Sequence, residues 1–81
     1  MRYRRIMSRL EQFTAVIGRE GDGFVALCPE LDIASQGDTV EEARDNLSEA
    51  VQLFFEGAST EEVARRLQTD VYVSRMQVPI G

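Results

Sequence analysis

Three short apolar runs separated by turn chemistry lead into one long amphipathic stretch, all within residues 13–55. Residues 12–19 alternate: Phe13, Ala15 and Ile17 share one face, Thr14 and Val16 the other. A period of two in strand-forming residues predicts a first strand. Glu20-Gly21-Asp22-Gly23 then offers a tight turn, with glycines available for positive φ. Residues 24–28 predict a second strand that is apolar on both faces, Phe24, Ala26 and Cys28 against Val25 and Leu27. Pro29 ends it, because proline cannot donate to a ladder. Residues 31–36 predict a third strand, with Leu31 and Ile33 on one side and Asp32, Ala34 and Gln36 on the other. Connections this short make the three an antiparallel meander.

Gly37-Asp38-Thr39 leads into a helix. Thr39 and Glu42 fit a capping box, in which the threonine oxygen accepts an amide and the glutamate reaches back. Glu41 and Glu42 also suit the positive end of the helix dipole. Val40, Ala43, Leu47, Ala50, Val51 and Phe54 recur at helical spacing, and Arg44, Asp45, Ser48, Glu49, Gln52 and Glu56 occupy the opposite face. At 1.5 Å per residue such a helix is roughly 25 Å long, enough to cross the meander. Gly57 suits the position just past its end. Ser59 and Glu62 repeat the cap logic for a second helical turn over residues 60–67, anchored by Val63 and Leu67. Residues 71–78 alternate again and predict a fourth strand. Tyr72, Met76, Val78 and Ile80 lie on one face, Val71 and Val73 on the other, and Pro79 marks an edge or exit. The expected fold is α+β, an antiparallel β-meander packed by one main helix in the order β-β-β-α-β, with the short helical turn before the last strand. Residues 11–81 form the single domain, and residues 1–10 a basic arm expected to be disordered or partly ordered.

One helix covers one face of such a sheet, yet the second strand is apolar on both. A second copy of the chain, or another protein, is the expected cover. Length sharpens this, because a chain of 81 residues buries only roughly 60–65% of its unfolded surface, and oligomerisation is a common remedy. A homo-oligomer is therefore expected.

The net charge of −5 is unevenly placed. Arg2, Arg4, Arg5 and Arg9 stand in residues 1–10 without an acid, so the remainder carries −9. An acidic body disfavours nucleic acid and favours a basic protein partner, while the arginine arm is a candidate nucleic-acid contact. Cys28 is the one cysteine, so no intrachain disulfide is possible, and histidine is absent. That excludes Cys–His and Ser–His pairs and ordinary zinc sites within this chain. No apolar run approaches the roughly 20 residues of a membrane span, and no secretory signal follows the basic start. A cytoplasmic protein without membrane contact is expected.

Four constellations invite chemistry. Glu30, Asp32 and Asp38 could hold a divalent cation, but turn and cap duties account for them. Cys28 sits in an apolar strand with no histidine or lysine to activate it, which fits a small buried hydrophobe. The run Gly18-Arg19-Glu20-Gly21-Asp22-Gly23 echoes a phosphate loop but joins two strands, where a phosphate loop opens a helix. Phe54-Phe55 reads as core with a contact surface. No catalytic residue, cofactor or metal site is expected, and the chain is not expected to be an enzyme.

The run Gly23-Phe24-Val25-Ala26-Leu27-Cys28-Pro29-Glu30-Leu31-Asp32, followed by Ala34-Ser35-Gln36-Gly37-Asp38-Thr39-Val40-Glu41-Glu42-Ala43, resembles the HicB antitoxin family. The likeness spans about residues 13–56, with turn, strand, cap and helix in register, and residues 71–81 resemble the closing strand of its short members. The resemblance implies a partial RNase H-like domain without nuclease activity. It also implies a partner, a small basic HicA-like toxin that cleaves mRNA and is neutralised by a tight complex masking its active site. Complementary charge would aid that encounter, and Glu30, Asp32 and Glu49 are the expected toxin-binding acids. Many members add a C-terminal DNA-binding module. None follows the closing strand in this sequence, so operator binding is not expected. The alternatives are an orphan interaction domain of the same fold, or weak nucleic-acid binding through Arg2, Arg4, Arg5 and Arg9.

Overall fold

The computed structural model describes residues 11–68 and 70–81. Strands β1 (Val16–Glu20), β2 (Gly23–Cys28) and β3 (Ile33–Gly37) precede helices α1 (Val40–Gly57) and α2 (Thr60–Leu67). The strands form one antiparallel sheet in the order β1-β2-β3. The fold is α+β, as the periodicities imply.

The turns follow from local chemistry. Glu20 pairs with Gly23, leaving Gly21 and Asp22 as a two-residue loop. Gly21 has φ of 58° and Asp22 does not share the positive sign, the pattern of a type II′ turn that matches strand twist. After β2 the Leu31 amide donates to the Cys28 carbonyl at 3.3 Å, with Pro29 presetting the bend. Asp32 then takes φ of 56°, a left-handed conformation that aspartate tolerates better than most side chains.

The helix begins where its cap dictates. Thr39 is the N-cap, and its hydroxyl accepts from the Glu42 amide at 3.0 Å. The Glu42 carboxylate reaches back one residue beyond the cap, to the Asp38 amide. The far end differs from expectation. Gly57 is the last helical residue, and Ala58 caps in an extended conformation, its amide donating to the Phe54 carbonyl. Ser59 caps α2 as expected, accepting from the Glu62 amide at 3.1 Å.

The core is small: Ala26, Cys28, Leu31, Ala43 and Leu47 are its buried members, with Phe13, Ile17, Phe24, Ile33, Val51, Phe54 and Phe55 packed around them. Helix α1 lies over β3 and β2 and scarcely reaches β1. What allows this close seating is Gly37. A Cβ there would stand 2.6 Å from the Ala43 nitrogen and 2.8 Å from the Glu42 carbonyl carbon, so β3 ends against the first turn of α1 with no room for a side chain.

The expected fourth strand over residues 71–78 is not formed, and the order is β-β-β-α-α. Tyr72, Met76 and Ile80 are 90%, 85% and 93% exposed. The alternation encodes a strand's side-chain pattern but supplies no ladder partner, and within one copy no edge takes this segment. The expected arm, residues 1–10, lies outside the described residues.

Replacing Gly37 by alanine should lower unfolding free energy by about 1–3 kcal/mol through overpacking. Gly18→Ala, whose Cβ meets open space, should stay within about 0.5 kcal/mol of wild type. Urea titration of both variants checks the contrast.

Candidate functional site

Among the described residues, two apolar surfaces and one charged surface of the sheet and helices are left uncovered, besides the exposed tail. The first lies on the sheet face opposite α1. Register places Val16 beside Leu27, and Leu27 beside Ala34, so these side chains share that face with Val25. Val16 is 48% exposed and Leu27 36%. This is the second apolar face of β2 that the sequence pattern announces.

The second is an open groove of about 850 Å³ on the β1 side of α1. Phe13 and Ala15 form one wall, Leu47, Val51 and Phe55 of α1 the floor, and Val63 and Leu67 of α2 the far side. Phe13 and Phe55 stack tilted at 5.7 Å, and Phe55 meets Phe54 edge-on at 5.2 Å, spacings at which aromatic pairs attract. The groove lies between the segment that leads into β1, the flank of α1 and the facing side of α2.

At one end of the groove Glu30 holds three elements together. Its carboxylate accepts from the Thr14 amide at 3.1 Å to each oxygen and from the Thr14 hydroxyl at 2.6 Å. The Cys28 thiol donates to it at 3.5 Å. Partial burial alone would raise the Glu30 pKa. The bonds from Thr14, from its own backbone and from Cys28 outweigh that and hold the carboxyl below its ordinary value. Burial pushes the Cys28 thiol the other way, above its ordinary value; the Leu31 backbone opposes this and the Glu30 carboxylate adds to it. A buried thiol of raised pKa is a poor nucleophile at neutral pH.

The charged surface is the outer side of α1, where Glu41, Glu42, Asp45, Glu49 and Glu56 are exposed and Arg44 is the one base. Helix α2 is tied down chiefly by Arg66. Its guanidinium donates to the Leu31 carbonyl and to Glu62, and lies over the Phe54 ring at 5.1 Å.

Of the expected partner-binding acids, Glu30 and Asp32 share the β2–β3 turn, while Glu49 stands on the exposed face of α1. Glu30 is half-buried and engaged internally; Asp32 and Glu49 are exposed. Arg2, Arg4, Arg5 and Arg9 lie outside the described residues. Among the described residues no group of three Cys, Asp or Glu is placed to hold a metal ion, and no helix is long and apolar enough to cross a membrane. The Thr14–Glu30 clamp escaped the sequence reading, since it links positions sixteen residues apart; a carboxylate directly after Pro29 was its only local signal.

Sequence comparison places the chain among known proteins. It is 36% identical over 70 residues to a UPF0150 protein of Synechocystis sp., covering 84% of this chain and 96% of that protein. A second UPF0150 protein of the same organism is 40% identical over 55 residues, 65% of this chain and 70% of the relative. No family model and no solved structure matches. The chain belongs to the UPF0150 family.

The clamp carries a pH signature. A carboxyl held below its unfolded value stabilises the fold above the ordinary glutamate range, near pH 4.5, and that contribution disappears as pH falls through the folded value. Glu30→Gln should cost about 1–2 kcal/mol at pH 7 and progressively less toward pH 3. Denaturation of both proteins across that range checks this; a constant difference would show that the carboxylate's charge is irrelevant.

Proposed function

We propose that this member of the UPF0150 family is a cytoplasmic antitoxin of the HicB type. In this reading it is a non-enzymatic, partial RNase H-like domain that works as a homo-oligomer. It neutralises a HicA-like, mRNA-cleaving toxin by covering that toxin's active site.

The observation that carries the reading is the acidic outer face of α1. Five acids stand there against one arginine. The last turn has no basic residue, and Glu56 lies at the negative end of the helix dipole. An acid in that position is unfavourable by about 0.3–1 kcal/mol. Glu41 and Glu42 suit the first turn, but local helix energetics do not explain Glu56, whereas a basic protein surface would be attracted to the whole face and would offset the cost. The described part of the chain belongs to the stretch that carries −9, which extends the attraction to long-range encounter.

The motif positions support the reading in a second way. In the run from Gly37 to Ala43, Gly37 permits the close approach, Thr39 and Glu42 form the cap, and Ala43 is fully buried. The likeness to HicB proteins thus falls on residues that build the strand–helix junction, which supports a shared architecture. Glu30 is engaged within the fold, so in this reading Asp32, Glu49 and their neighbours on α1 carry most of the direct electrostatic contact.

Co-expression with the adjacent reading frame tests the proposal. A small basic protein that arrests growth alone, is tolerated with this chain and co-purifies with it is the expected result. Asp32→Arg with Glu49→Arg should weaken that complex about tenfold at moderate salt and flatten its salt dependence. If affinity and salt slope stay unchanged, the electrostatic role fails; if no neighbouring product is toxic or bound, the antitoxin reading fails.

A further inference from the structure

We propose that residues 71–80 are a strand for export, which pairs along the free edge of β1 in a second copy of this chain and lays its apolar face into that copy's groove. This deepens the self-assembly part of the preceding reading and is independent of toxin binding.

The segment reads Val71-Tyr72-Val73-Ser74-Arg75-Met76-Gln77-Val78-Pro79-Ile80. Tyr72, Met76, Val78 and Ile80 fall on one side of an extended chain, with Ser74 the one polar residue among them. The other side holds Arg75 and Gln77 with two valines. Such a face would not be left in water by a finished structure, yet Tyr72, Val73, Met76, Val78 and Ile80 are all more than half exposed. Pro79 lacks an N–H, which suits a strand with solvent on one side.

The two edges of the sheet are unequal. At β3 the Asn46 side chain donates to the Gln36 carbonyl at 2.8 Å, and Gly37 abuts α1, so the chain's own helix obstructs the end of that edge. At β1 the outward amides and carbonyls of Val16–Glu20 have no backbone partner among the described residues. An open edge of this kind is a template for one more strand. The groove begins beside residues 11–15, which lead directly into β1, so a strand that follows the β1 edge and continues past Val16 reaches it. A strand added beside β1 with its apolar face toward α1 would fill the space lined by Phe13, Val51, Phe55, Val63 and Leu67.

A second copy is the occupant because each copy has both an unused strand and an unused edge. Arg66 pins α2 to the Leu31 carbonyl, and residues 72–81 are exposed and join no strand of their own sheet. Two copies exchanging tails satisfy both deficits at once in a closed two-fold arrangement. A buried core of five among the described residues gives such an exchange a strong incentive.

The full chain should sediment as a dimer. Met76→Glu with Val78→Glu should raise its dissociation constant at least about a hundredfold, whereas Gln77→Glu on the other face should change it less than about threefold. Circular dichroism of each variant confirms folding. To identify whose tail is bound, a spin label on Gln77→Cys in unlabelled chains is mixed with isotope-labelled wild type; the buried Cys28 does not take the label. Broadening of Val16–Glu20 amides in the labelled copy supports exchange. A monomeric wild type, a dimer indifferent to both glutamates, or a mixture in which the Val16–Glu20 amides of the isotope-labelled copy stay sharp would overturn it. Toxin capture is not scored here, so either proposal can fail alone.

Discussion

The seating of β3 on the first turn of α1 is the constraint on which the rest depends. Two backbones meet there with Gly37 between them, and the approach leaves no volume for a β-carbon. The run from Gly37 to Ala43 also carries the N-cap and places Ala43 fully inside. Position and direction of an 18-residue helix are thereby set at one end. From that anchor α1 runs over β3 and β2, and the core collects under it. The cost of such a tight anchor is asymmetry: β1 receives little cover, and a groove opens beside the segment that leads into it.

Much of this was legible from periodicity and cap chemistry. The three strands, both helices and both capping serines or threonines lie where short-range patterns put them, because each depends on residues a few positions apart. Strand limits shifted where non-local pairing decides: residues 12–15 alternate as a strand but stand outside β1, since β2 ends at Cys28 and its ladder reaches only to Val16. The tail is the larger lesson. Its alternation is as regular as that of β1, but a strand is completed by a neighbour, and periodicity says nothing about where the neighbour is.

Glu30 illustrates a different limit. As one of several acids near a turn it reads as surface charge. Folding brings Thr14 to it from across the sheet, and three donors then compete successfully with water for the carboxylate. The group becomes a clasp between the segment before β1, the end of β2 and the turn. The signal that distinguishes a clasp from a surface charge is tertiary, and Thr14 carries no local mark of its role. The exposed acids Asp32 and Glu49 lack such partners among the hydrogen bonds and ion pairs of the described residues, whereas Glu30 is engaged within the fold.

These features divide the molecule by flank. The groove and the open edge of β1 lie on one side of α1, where apolar area is the driving force and salt has little effect. The acids at Asp45 and Glu49 lie on its outer face, where attraction is long-ranged and screened by salt. A domain with a core this small gains from covering the first surface permanently, whereas the second gains only when a basic partner arrives. Under the proposed reading, self-assembly and capture of a partner draw on different residues and different physics, so that neither need be surrendered for the other. That separation is what a small binding protein requires if its fold depends on assembly while its function depends on an encounter.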